Sequence, residues 1–153
     1  MTTTVAPPTD TPQTVRAAAL LWLVAVAAGI FETVLAVTGL LSSGTAGAGE
    51  VLSGVGLRVV VFGTAFFLVW RMWQGRNWAR WSLVGLLGVL GLLSMVVEPV
   101  QWLLAGGSII DAVTQAGVQE LLFGGSRLLH VLAVLGAVAL MFQPRARDHF
   151  RSA

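Results

Sequence analysis

Residues 51–97 read VLSGVGLRVVVFGTAFFLVWRMW, QGRN and WARWSLVGLLGVLGLLSMVV in succession. Two apolar runs, 51–73 and 78–97, are thus joined by a short polar link that contains Gly75 and Arg76. Each run approaches the ~20 residues that an α-helix needs to cross a bilayer. Neither run alternates with a period of two, so the pattern indicates helices and not barrel strands. This stretch therefore predicts a transmembrane helical hairpin.

Two further apolar runs flank the hairpin. The whole chain is predicted to be an all-α, four-helix transmembrane bundle, with helices at about 15–41, 51–73, 78–104 and 121–142. The first run resembles a cleaved signal peptide at Ala46-Gly47-Ala48, but its apolar stretch is much longer than a signal h-region, so a retained helix is expected. Residues 1–14, rich in Thr and Pro, are expected to form a disordered cytoplasmic tail, and 144–153 a short basic cytoplasmic tail.

Composition excludes several classes of protein. Of 153 residues, 56% are hydrophobic and 10% charged, which is too few charges for a soluble globular surface. There is no cysteine, so disulfide frameworks, thiol redox sites and Cys-ligated metals are excluded. A formal net charge of +2 without a basic patch argues against nucleic-acid binding. The expected surroundings are a lipid bilayer.

Orientation follows from the arginines. Both loops 42–50 and 98–120 lack basic residues and carry acidic ones. The other connections and tails hold Arg16, Arg71, Arg76, Arg80, Arg145, Arg147 and Arg151. Because cytoplasmic segments are enriched in Arg and Lys, both termini are expected in the cytoplasm of a bacterial plasma membrane.

Tryptophans suggest the membrane boundaries. Trp70, Trp73, Trp78 and Trp81 flank the basic hairpin, as an interfacial aromatic belt would. Trp22 is expected near the inner end of the first helix and Trp102 near the outer end of the third.

The second outer loop has a helical pattern of its own. Ile109, Ile110, Val113, Ala116 and Gly117 recur at helical spacing with polar residues between them. The pattern predicts a short amphipathic helix, and an ordinary loop is the alternative.

Charged residues inside the membrane are costly and are the best pointers to a site. They are Glu32, Arg58, Glu98 and Arg127, joined by His130. Counted at ~1.5 Å per residue, they lie about 20–27 Å from the cytoplasmic arginines, in the outer third of a core ~30 Å thick. The sequence therefore predicts an interhelical polar cluster, with Glu32 directed inward by the small residues that share its face.

The cluster has three interpretations. A charge-balanced set can simply fix packing through ion pairs. It can instead form a pocket for a small molecule or a lipid headgroup, or part of an ion or proton pathway. A weak internal repeat predicts the pairs Glu32–Arg58 and Glu98–Arg127. Mutually satisfied salt bridges without a cavity would favour packing, whereas open space around these residues would favour binding.

No catalytic, metal or cofactor site is predicted. His130 and His149 stand apart, no metal-ligand spacing is present, and no nucleophile–base pair can be named. The chain is accordingly expected not to be an enzyme.

The hairpin Gly75-Arg76-Asn77-Trp78-Ala79-Arg80-Trp81 carries the one resemblance. With the lysine-free composition and the Pro/Thr-rich start, this G-R-x-W-A-R pattern resembles small four-helix membrane proteins of high-GC actinobacteria, described only as integral membrane proteins of unknown function. In the expected arrangement, Arg71, Arg76 and Arg80 anchor inner headgroups while Trp78 and Trp81 lie in the interface. A cytoplasmic partner for this hairpin is an alternative.

Two functions follow as expectations. The first is a non-enzymatic accessory or structural component of a membrane assembly, with a protein partner in the membrane. The alternative is a binder or transporter of a small molecule or lipid through the outer-third cluster. The sequence sets neither the ligand nor the oligomeric state.

Overall fold

Five helices make up the part of the chain that the computed structural model describes, which is residues 11–44, 47–144, Ala146 and Phe150. They are α1 (Gln13–Ser43), α2 (Ala48–Trp73), α3 (Asn77–Leu104), α4 (Ile109–Gln115) and α5 (Val118–Met141). All but α4 are long and apolar enough to cross a membrane. Apolar residues surround these helices on every side, which is the pattern of helices that face lipid. The chain thus has the architecture of a multi-pass membrane protein.

The helix ends follow local rules. Gly44 has a φ of 64° and Gly75 a φ of 82°, a left-handed conformation that glycine adopts without strain. Gly44 thereby ends α1, and Gly75 makes the tight turn expected between α2 and α3. At the start of α4, the Ser108 hydroxyl accepts a hydrogen bond from the Asp111 N–H at 3.3 Å. At the start of α5, the Glu120 carboxylate accepts from the Gly117 N–H at 2.8 Å. The expected short helix of the second outer loop is therefore present, as α4.

The helix α3 is not uniform. It is α-helical over Asn77–Ser82, π-helical over Leu83–Gly91 and α-helical again over Leu92–Leu104. Its first two parts contain the buried Ala79, Leu83 and Gly88, whereas Leu92–Leu104 contains no buried residue. The helix therefore packs firmly at one end only.

The bundle has two unlike ends. We name the end with Gln13, the 74–76 turn and Met141 the terminal end, and the end with Gly44, Gly47 and segment 105–117 the loop end. The buried hydrophobic core lies towards the terminal end, where α1 packs chiefly on α5 and then on α2. Its largest fully buried side chains are Trp22, Met72, Leu83, Met141, Val15 and Val134.

Trp22 lies in the hydrophobic core near the start of α1. Its side chain is only 1% exposed, and its indole N–H donates a hydrogen bond to the Met141 sulfur at 3.3 Å. An indole needs a partner for its one polar group when it is buried, and the thioether supplies it here. The residue is part of the core and not of an interfacial belt.

The structure describes only parts of the two expected tails. Gln13 and Thr14 belong to α1, and residues 1–10 lie outside the described residues. Ala146 and Phe150 of the expected basic tail are buried against the core. The described part of the chain does not include the other notable residues of this tail, Arg145, Arg147, His149 and Arg151.

Candidate functional site

A cavity of about 410 Å³ lies inside the bundle, in the half towards the loop end. All four spans contribute to its wall. Its charged lining residues are Glu32 from α1, Arg58 from α2, Glu98 from α3 and Arg127 from α5. Four of the five residues singled out for their depth in the membrane thus meet around one space.

Glu32 is held from α5. Its side chain is 14% exposed, and the Ser126 hydroxyl donates to its Oε1 at 3.4 Å. The Nδ1 of His130, on a side chain that is 20% exposed, lies 3.8 Å from the same oxygen. Ser126 also reaches the Ala28 carbonyl at 3.4 Å, which fixes the hydroxyl between α1 and α5. The carboxylate therefore points into the bundle, as its small-residue face indicates.

Gly29 makes room for this contact. A Cβ at Gly29 would lie 3.0 Å from the Phe62 ring and 3.4 Å from the His130 ring. Both distances are at the tight limit for a carbon contact, so the missing side chain lets these rings approach α1. Gly29 and Phe62 also line the cavity, and His130 lies just beyond it, near the midpoint of α5.

The two arginines use neutral partners. Arg58 is exposed, and its Nη1 donates to the Gly54 carbonyl of its own helix at 3.3 Å. The guanidinium carbon of Arg127 lies 5.8 Å from the centre of the Phe123 ring, and its Nε is buried without a hydrogen-bond partner. Within the described residues, neither arginine has a carboxylate oxygen within 4.0 Å.

The predicted pairs Glu32–Arg58 and Glu98–Arg127 are therefore absent from the described structure. The physical reason is geometric. Counting residues along a helix gives the depth of a side chain in the membrane, but it does not give its direction around the helix axis. The direction of Glu32 brings it to Ser126 and His130 of α5 instead of to α2.

A second, wider cavity of about 710 Å³ adjoins the first towards the loop end. It lies between α1 and the first turns of α5, and Gln119 and Glu120 contribute polar groups to its wall. Ala36, Phe123 and Arg127 line both cavities. We call the wider one the vestibule, because Arg127 and Phe123 stand where it meets the charged cavity.

The hairpin residues do not join this site. Arg76, Trp78 and Trp81 are exposed at the terminal end, as expected for groups at a membrane interface. Arg71 lies 5.3 Å from the ring centres of both Phe67 and Trp70. These positions agree with an anchoring role but do not demonstrate one.

The role expected for Arg80 is wrong. Its side chain is only 7% exposed. Its guanidinium carbon lies 4.9 Å from the Phe142 ring, 5.0 Å from the Phe150 ring and 5.4 Å from the Trp81 ring. A guanidinium can stack on aromatic faces when it leaves water. Arg80 therefore packs inside the protein and does not reach out to lipid headgroups.

Sequence reasoning missed Ser126 and Phe123. A signal for Ser126 was available, because it lies one helical turn before His130 and so shares its face. Phe123 had no comparable signal, since one more aromatic residue in an apolar helix is uninformative. Thr33, Ser94 and Met95 complete the wall between the charged groups.

Comparison with known proteins returns no family model, curated protein or solved structure that matches this chain. Chemically, the site offers two carboxylates and two guanidiniums around one open space. Among the described residues, no three His, Asp or Glu side chains are grouped to hold a metal ion. The arrangement is suited to holding a charged group by hydrogen bonds and ion pairs.

Proposed function

We propose that this chain is an integral membrane protein that binds a small charged ligand, or the charged headgroup of a lipid, in the cavity between its four spans. One observation carries the proposal. Glu32, Arg58, Glu98 and Arg127 line one cavity, and in the described structure neither arginine is paired with a carboxylate.

Burial cost supports this role. A charged group inside a membrane protein is expensive unless a partner compensates it. A purely structural set of balanced charges would form ion pairs and close the space between them. Here Arg58 hydrogen-bonds a backbone carbonyl and Arg127 lies over an aromatic ring, while Arg127 acts on Glu32 only from beyond ion-pair distance. A bound ligand or ordered water would supply the compensation that the protein groups lack.

The size of the cavity fits the same role. Small-molecule sites generally measure ~300–1,000 Å³ and combine apolar walls with a few placed polar groups. The charged cavity, at about 410 Å³, has such a wall, with Phe62, Met95 and Phe123 between the charges. The accessory or structural role is less well supported, because it is the role for which a closed, ion-paired cluster is expected.

The membrane placement is part of the proposal. Arg16, Arg71 and Arg76 lie at the terminal end, whereas Glu50, Asp111 and Glu120 lie at the loop end. By the positive-inside rule, this favours a cytoplasmic terminal end in a bacterial plasma membrane. The lysine-free composition and the hairpin favour an actinobacterial source. We propose no catalytic activity.

The test is to identify what the cavity holds. The tagged full-length protein is purified from its native membrane in mild detergent, and co-purifying molecules are identified by mass spectrometry. The proposal expects one small molecule or lipid at a fixed ratio. It also expects that ligand to be lost from Arg58→Gln and retained by Arg16→Gln, which changes an exposed arginine at the other end of the bundle.

Two results would count against binding. One is a stoichiometric protein partner with no ligand, which would establish the accessory role instead. The other is a ligand that Arg58→Gln and Arg16→Gln retain equally, since it would then be bound elsewhere.

A further inference from the structure

We infer that the ligand carries an ammonium and a phosphate in one group, and that it reaches the charged cavity from the loop end through the vestibule. This inference rests on the proposed binding function and adds the ligand's chemical class and its route. A free solute and a lipid headgroup can both present such a group.

The charges of the cavity wall indicate the chemical class of the ligand. The cavity wall holds two carboxylates, Glu32 and Glu98, and two guanidiniums, Arg58 and Arg127. A simple anion would match the arginines and leave the carboxylates without a cation. A simple cation would do the reverse. A ligand with both signs places an opposite charge beside an arginine and beside a carboxylate at once, and this matters because unmatched charges away from water are costly.

The chemistry of the arginines favours a phosphate as the anionic part. A guanidinium presents a planar set of donors that matches the oxygens of a phosphate. Both arginines line the cavity, and in the described structure neither guanidinium has a carboxylate oxygen within 4.0 Å. The carboxylates then suit an ammonium, which has N–H groups to donate.

Glu98 is the better placed carboxylate for that ammonium. Glu32 already accepts from Ser126 and lies near His130. Glu98 is exposed and has no hydrogen bond or ion pair from another described side chain. Replacing Arg58 therefore tests the contact to the phosphate of the ligand, and replacing Glu98 tests the contact to its ammonium.

The route follows from shared walls. Ala36, Phe123 and Arg127 line both the charged cavity and the vestibule. The vestibule is built from the first turns of α5, beside the 105–117 segment. A ligand arriving at the loop end therefore passes Glu120 and Arg127 of the vestibule wall before it meets Glu32 and Glu98.

The headgroup of a membrane lipid has a second route into the charged cavity, from the side of the bundle. The part of α3 that carries Glu98 is Leu92–Leu104, which has no buried residue. The close contacts of α3 with α2 and α5 lie instead in Asn77–Gly91. The cavity is thus loosely covered beside Glu98, on a side of the bundle that faces acyl chains.

The test compares ligands that differ by one charge. Glycerophosphoethanolamine carries both groups, glycerophosphoglycerol carries only the phosphate, and ethanolamine carries only the ammonium. Their binding to the full-length protein is measured by calorimetry in detergent. In parallel, melting temperatures are compared in nanodiscs of phosphatidylethanolamine and of phosphatidylglycerol.

We expect the group with both charges to bind at least about tenfold tighter than either single-charge compound. This preference is expected among the free solutes, among the lipids, or among both. Comparison of the calorimetry on free solutes with the melting temperatures in nanodiscs then shows whether the ligand is a solute or a lipid. Arg58→Gln and Glu98→Gln should each remove that preference. The matched controls Arg16→Gln and Glu50→Gln, at exposed positions away from the cavity, should keep it.

Entry of the ligand through the vestibule is tested by a separate substitution. Gly124 lines the vestibule but not the charged cavity, and a Cβ there meets nothing within 4 Å. Gly124→Leu should weaken binding of the free solute, whereas Gly63→Leu, at an equally open glycine of α2, should not.

The outcomes separate this inference from the proposed function. Equal binding of glycerophosphoethanolamine and glycerophosphoglycerol would overturn the inference while leaving a binding site for anions. A different co-purified ligand that Arg58→Gln loses would do the same. If no compound binds, no ligand co-purifies and Arg58→Gln behaves as Arg16→Gln does, both proposals fail.

Discussion

The indole N–H of Trp22 donates to the sulfur of Met141 at 3.3 Å, which ties the first span to the last inside the core. Trp22→Ala should therefore destabilise the protein by about 3–5 kcal/mol, the usual cost of removing a buried aromatic side chain. Thermal melting in detergent measures the loss. Trp73→Ala, at an exposed tryptophan of the same end, is the control and should cost far less. Equal losses would contradict the assignment of Trp22 to the core.

Arg80 and Phe150 should be energetically coupled. The guanidinium stacks over the Phe150 ring at 5.0 Å, and both side chains are buried. Arg80→Gln and Phe150→Ala should each lower the melting temperature, and a double-mutant cycle should give a coupling of about 0.5–3 kcal/mol. Arg76→Gln, at the exposed turn, should change stability by no more than about 0.5 kcal/mol. Strict additivity of the two changes would show that the contact contributes nothing.

Arg58 should matter little to the stability of the ligand-free protein. Its side chain is exposed and hydrogen-bonds the Gly54 carbonyl of its own helix. Arg58→Gln in delipidated detergent should therefore stay within about 0.5 kcal/mol of the parent protein. Ser126→Ala should cost about 1 kcal/mol, because Ser126 bridges Ala28 and Glu32. A melting temperature several degrees lower for Arg58→Gln would instead reveal the ion pair with Glu32.

The orientation can be tested because the chain has no cysteine. Gln115→Cys places a thiol at the loop end and Gln74→Cys places one in the turn at the terminal end, both at exposed positions. In intact cells, a membrane-impermeant maleimide should label Cys at 115 and not at 74. Permeabilised cells provide the control, since both positions should then react. The reverse pattern would place both termini outside the cytoplasm.

The spans were predictable because lipid imposes a strong constraint on sequence. Runs of about 20 apolar residues and the short polar link around Gly75 each depend on local sequence alone. The short helix α4 was likewise readable from its spacing. A count of residues along each helix was enough to group Glu32, Arg58, Glu98 and Arg127, and the four line one cavity.

The features that the sequence did not predict depend on the direction of side chains around their helices and on contacts between residues far apart in the chain. Depth does not say which way a side chain points around its helix, so Glu32 was assigned to Arg58 instead of to Ser126. The burial of Arg80 depends on Phe142 and Phe150, far along the chain, and nothing in the hairpin sequence indicates them. The π-helical part of α3, Leu83–Gly91, has no recognised sequence signature.

The separation of a packed terminal end from an open, charged loop end has an evolutionary consequence. The residues that hold the four spans together and the residues that line the cavity form two sets with little overlap. Under the proposed binding function, substitutions around the cavity would change the ligand without compensating changes in the core. A lineage of such proteins is therefore expected to diversify in ligand while its terminal end stays nearly constant, so that one scaffold serves many specificities.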